Sequence, residues 1–172
     1  GSKEGKTADG GDIFVNLADK GLAVSINDLA EITSMNSKVT FEGNATVSAS
    51  LTLKINGETV KTATGTQLTH EYTFSKQGNY NIEFTATSGA QTAKATAFTC
   101  VPNAPTKANR PAGIVNGIYY DKINPTKVTL CTYAASKTAP AQNVFVVGDF
   151  NKWQISNDYQ LKQANDSAYF WI

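Results

Sequence analysis

Trp153 is the residue whose setting most suggests recognition chemistry. It closes the run Val144-Phe145-Val146-Val147-Gly148-Asp149-Phe150-Asn151-Lys152-Trp153, in which an apolar strand ends in a glycine bend and delivers an indole beside amide and ammonium side chains. A pyranose ring offers an apolar C–H face and a rim of hydroxyls, so the indole can cover the face while Asn151, Lys152 or Gln154 hydrogen-bonds the rim. A preformed aromatic surface also limits the ordering cost of binding. The competing reading makes Trp153 a structural or interdomain packing tryptophan, and both readings stand at this point. Trp171, inside the apolar run Tyr169-Phe170-Trp171-Ile172, reads as core or sheet-face packing.

Bond-making chemistry has far less to work with. A single histidine, His70, excludes the two-histidine metalloprotease motif, and its alignment with Leu68, Tyr72 and Phe74 reads as a core or rim position. The sequence holds no phosphate-binding glycine loop, nucleophile elbow or paired-cysteine redox motif. Glycoside hydrolysis needs two carboxyl groups roughly 5 to 9 Å apart across a cleft. The acidic residues here, such as Glu71 and Glu83, are instead scattered over turns and polar strand faces. The group Asn157, Asp158, Asn165 and Asp166 reads as a solvated hairpin turn rather than a calcium site. Cys100 and Cys131 read as two unpaired, partly buried thiols. The residues thus point to a non-catalytic chain with no cofactor or metal.

Fifteen Lys and Arg against fourteen Asp and Glu leave no field to attract a polyanion, which argues against nucleic acid as a partner. No apolar run has the length of a membrane span, and the start lacks the apolar stretch of a signal peptide.

The elements that must position these residues are strands. Thr, Ser, Asn and Gly abound, and apolar residues recur at period two. Leu51–Ile55, Asn56-Gly57 and Glu58–Val60 read as a hairpin, because Asn-Gly supplies the positive φ angles of a type I′ turn. Leu68–Phe74 and Tyr80–Ala86 are expected to form a second hairpin through Ser75–Asn79. Leu22–Ile26 and Val39–Phe41 are expected as earlier strands, and Ala90–Val101 as the closing one. The expected organisation is all-β: a flexible leader over 1–11, an immunoglobulin-like sandwich over 12–101, a Pro-rich linker over 102–112 and a second, incomplete module over 113–172. In that module strands are expected at Ile114–Tyr120, Lys127–Ala134, Asn143–Gly148 and Ala168–Ile172. Val144–Val147, apolar on both faces, is expected centrally in its sheet. The last strand is expected as an unpaired apolar edge that invites a strand-exchanged dimer.

The run Gly148-Asp149-Phe150-Asn151-Lys152-Trp153 and the strand before it resemble the signature of the family 48 carbohydrate-binding module. That early-set domain precedes the catalytic barrel of α-amylase-family (family 13) glycoside hydrolases. Residues 113–172 carry the resemblance. Val115–Asp121 and Val128–Ala134 are similar to its opening strands in amylase-like proteins of gut Bacteroidetes, and the first module resembles their Ig-like repeats more loosely. The family pattern continues with a further strand and a Val-Asp-Gly turn that are not found here.

The resemblance implies a non-catalytic accessory region of an exported hydrolase, with starch or glycogen and the catalytic barrel of the same polypeptide as partners. It implies an extracellular or cell-surface location, an outer-membrane lipoprotein included. Of the family's sugar contacts only Trp153 maps onto this chain. Two other parents fit the same modules: a surface glycan-binding lipoprotein without a catalytic domain, and an esterase of the α/β-hydrolase fold.

Overall fold

The computed structural model describes residues 21–134, 143–165 and 168–172; the leader expected over 1–11 lies outside them. The described residues are almost entirely strand and turn, as the period-two patterning requires.

The first module contains β1 (Val24–Ile26), β2 (Lys38–Ile55), β3 (Glu58–Thr73), β4 (Gly78–Ser88) and β5 (Gln91–Val101). Two long strands serve both of its layers. β2 and β3 are joined by Asn56 and Gly57, both at positive φ as the sequence requires. They stay antiparallel from Ile55↔Glu58 to Lys38↔Thr73. Between the pairs Asn44↔Gln67 and Ala49↔Gly65, however, β2 advances five residues while β3 advances two. Such a bulge bends the ribbon.

The near half of the ribbon also pairs with β1, and the far half with β4, which in turn pairs with β5. The halves then face one another. A Cβ on Gly43, in the near half, would lie 2.5 Å from the ring of Phe84 on β4, whose backbone pairs only with the far half of β2 and with β5. The core fills this space: Phe41, Leu51, Leu53, Leu68, Phe74, Ile82 and Phe84 are fully or almost fully buried. Each such side chain contributes about 1.5–3 kcal/mol through removal from water.

The second expected hairpin does not form. β3 and β4 lie on opposite sides of β2, and Ser75–Gln77 carries the chain from one layer to the other. Tyr80 explains why a short connection suffices. Its hydroxyl donates to the carbonyl of Lys76 at 2.8 Å, and its ring meets that of Phe74 at 4.8 Å. This is the tyrosine corner of immunoglobulin-type sandwiches, placed where a strand leaves one sheet for the other.

The second module has β6 (Lys107–Ala108), β7 (Gly117–Tyr120), β8 (Val128–Tyr133), β9 (Lys162–Ala164) and β10 (Tyr169–Trp171), in the order β6-β9-β10-β8-β7. Among the described residues it contributes one sheet, antiparallel except for β6 on β9. Three expectations change. β10 is flanked by β8 and β9, so the terminal strand is not an edge; the edges are β6 and β7. Among the described residues Val144–Val147 makes a bridge, Phe145↔Gln160, flanked by hydrogen bonds from Val146 N–H to Tyr159 and from Leu161 N–H to Val144, and is half-buried or exposed rather than central. Its apolar residues have a turn, not a strand, on the one side that is paired. Finally, the Pro-rich connection, in which no strand is expected, contributes Lys107–Ala108 to the second sheet as a short edge strand, the position that neighbouring prolines permit.

The two modules are clamped together. The amide of Asn157 donates to the carbonyl of Val101 at 3.0 Å and accepts from the N–H of Asn103 at 3.0 Å. Gln160 accepts from the same N–H at 3.1 Å and donates to the carbonyl of Asn103 at 3.1 Å. Asn157 therefore belongs to the junction rather than to a calcium site, and Asn165 donates to Asn109 at 2.6 Å; Asp166 lies outside the described residues. Cys100 and Cys131 are unpaired and buried, one in each module, and burial pushes the Cys100 thiol up.

Candidate functional site

The Trp153 loop is built by its own hydrogen bonds. The carbonyl of Gly148 accepts from the N–H of Asn151 at 3.1 Å and of Trp153 at 2.9 Å. The Asn151 side chain completes the turn: its oxygen accepts from the N–H of Gly148 at 2.8 Å and its amide donates to Val146 at 2.9 Å. Gly148 is fixed by packing, since a Cβ there would sit 2.6 Å from the Phe150 ring, which in turn packs on Tyr159 at 5.0 Å. Each residue of the Gly-Asp-Phe-Asn portion thus has a structural task.

Lys152 and Trp153 follow in the left-handed region, with φ of 55° and 59°. For non-glycine residues this conformation costs roughly 1–2 kcal/mol each. Burial of the indole does not compensate, because Trp153 is 67% exposed. The ring is nevertheless held: its Nε1–H donates to Asp149 Oδ1 at 2.7 Å. That bond engages the polar edge of the indole and leaves its apolar faces for contact.

The four residues singled out in sequence are therefore neighbours with different settings. Trp153, Lys152 and Gln154 are exposed, while Asn151 is half-buried with both ends of its amide engaged within the loop. Sequence reasoning did not anticipate what stands opposite. Trp153, Gln154 and Ile155 share a hollow of about 300 Å³ with Phe98 and Glu31 of the first module. The missed signal was Phe98: on β5, the odd residues Ala93, Ala95 and Ala97 are small and face the core, so a large aromatic at 98 falls on the outer face with Lys94 and Thr96.

The outer face of β4 and β5 beside this hollow carries a charge pair. Glu83 pairs with Lys94, and hydrogen bonding to that ammonium holds the Glu83 carboxyl below the usual range, more than offsetting desolvation. No group of three His, Cys, Asp or Glu among the described residues is placed to hold a metal ion. Trp171 lies on a sheet face with the Lys162 ammonium 5.3 Å from its ring centre. His70 is half-buried on β3 opposite Phe41.

No family model matches the chain, and no curated protein matches it. Among solved structures it is similar to the fibronectin(III)-like modules of Clostridium thermocellum CbhA, at 12% identity and a TM-score of 0.37, covering 46% of this chain and 94% of that one. It is also similar to a polysaccharide lyase, at 20% identity and a TM-score of 0.35, covering 46% of this chain and 12% of that one. Likeness this slight adds nothing to the reading of the site, which rests on its own residues.

Proposed function

We propose that the chain is a non-catalytic accessory region of an exported carbohydrate-active protein and that Trp153 is its glycan platform. One observation carries this reading: a strained backbone and a hydrogen bond donated by the indole to Asp149 hold the ring out into solvent. Left-handed backbone at a non-glycine residue with no packing return is the kind of strain that accompanies binding. Flanking Lys152 and Gln154 supply donors for sugar hydroxyls. With the Gly-Asp-Phe-Asn-Lys-Trp resemblance, the ligand class is α-glucan, starch or glycogen, and the parent an α-amylase-family hydrolase whose barrel performs the reaction.

A supporting role beside that barrel is favoured by a separate observation. Ile118, Tyr120, Ile123 and Val128 leave an exposed apolar surface around the β7–β8 hairpin, with Ile123 at 95% and Tyr120 at 75% exposure. A surface of this kind suits a covering domain.

Isothermal titration of the chain against soluble starch and glycogen tests the platform. Binding is expected, with a loss of at least about tenfold in Trp153→Ala, the magnitude of one well-placed aromatic contact. No binding by the parent chain removes the platform role, and unchanged binding in Trp153→Ala clears that residue.

A further inference from the structure

Trp153 is one end of a longer depression. The hollow it shares with Phe98 adjoins a second one of about 450 Å³ on the outer face of β4 and β5, and Phe98 and Gln154 line both. The strand register explains the alignment: Asn81 pairs with Phe98 and Glu83 with Thr96, so their side chains form adjacent rows on that face. From Phe98 to Lys94 the strand covers about 13 Å at 3.3 Å per residue, more than one sugar ring spans. One wall belongs to each module. The Asn157 and Gln160 amides, bonded to residues 101–103 as β5 ends, fix the two walls relative to one another.

We infer that this groove is a composite site for a linear, neutral oligosaccharide, with Trp153 as its first subsite and the β4–β5 face as its continuation. The inference rests on the platform reading of Trp153 and extends it onto the first module. The lining selects the ligand class. Phe98 supplies a second apolar surface; Asn81, Thr96 and Gln154 offer uncharged donors and acceptors matched to hydroxyls. On the β4–β5 face the charged groups, Glu83 and Lys94, are paired with one another, so that stretch of the groove offers a polyanionic glycan no free positive charge. The two hollows in series call for a chain rather than a single sugar. Asn81 and Thr96 are exposed, so their side chains can be shortened with little effect on the fold.

The test is titration of the chain with maltose and with maltohexaose, using the parent, Asn81→Ala/Thr96→Ala and Trp153→Ala, each checked for an unchanged unfolding midpoint. The parent is expected to bind the hexaose at least about tenfold more tightly than the disaccharide, from two or three additional hydrogen bonds. The double variant is expected to lose that advantage and keep disaccharide affinity, and Trp153→Ala to weaken both ligands. If hexaose affinity is the same in the double variant and the parent, while Trp153→Ala loses binding, the composite groove is overturned and the platform stands. If the parent binds neither sugar, the platform fails and the groove with it.

Discussion

Trp153 combines three properties seldom found together: a left-handed backbone, a solvent-exposed aromatic ring and a fixed orientation. The backbone term can be isolated by comparing two variants that both lose the indole. Glycine adopts positive φ without penalty, whereas alanine keeps the Cβ clash. Trp153→Gly is therefore expected to unfold at higher urea than Trp153→Ala, by about 1 kcal/mol, although both lose the aromatic contact to glycan. Equal stabilities would show that residue 153 is not held in the left-handed region in solution. At this scale the sequence was informative where geometry is local. Asn56-Gly57 announced its turn because few other pairs take two successive positive φ values, and Gly148-Asp149-Phe150-Asn151 announced a bend. What could not be read was that Asn151 completes that bend with its own side chain, since the same amide would equally suit a ligand.

Pairing between elements was harder to read than their existence. β3 and β4 look like a hairpin because they follow one another, alternate cleanly and are separated by a few polar residues. The preference that wins is tertiary: β2 offers inward-facing residues along its whole length, so it accepts β3 on one side and β1 and β4 on the other. Tyr80 was the available sign of the crossover, but its meaning depends on a hydroxyl contact with Lys76 that sequence does not display. β6 and β9, of two and three residues, carry too few positions for any periodicity to register. The amide clamp between the modules yields a prediction of its own. Asn157 accepts from Cys100 Sγ at 3.8 Å as well as bonding residues 101 and 103. Asn157→Ala is thus expected to destabilise the junction by about 1–3 kcal/mol and to accelerate labelling of Cys100 by a thiol reagent, with Cys131 unaffected. Unaltered Cys100 labelling would mean that the clamp does not shield the junction.

For the whole molecule, the contrast is between two modules on a semi-stiff tether, as composition suggested, and two modules joined through a connection with bonds at both ends. Asn103 is held by Asn157 and Gln160, Lys107 and Ala108 are paired to β9, and the Arg110 guanidinium bonds the Ile114 carbonyl and stacks 4.2 Å from the centre of Tyr169. Trypsin is accordingly expected to spare the bond after Lys107 in the native chain and to cut it after unfolding. Rapid native cleavage there would restore the semi-stiff tether. Three prolines in eleven residues suggest a boundary, but composition cannot say whether such a segment is docked.

The central place of β10 bears on how the chain is made. Among the described residues β7–β8 and β6–β9 are joined into one sheet by pairing with Tyr169–Trp171, so the second sheet cannot close until those residues have cleared the ribosome. The first module needs nothing beyond Val101 to complete its strands and can be finished while its neighbour is still two separate ribbons. A stop codon before Tyr169 would leave it that way, with four strand edges open to other chains.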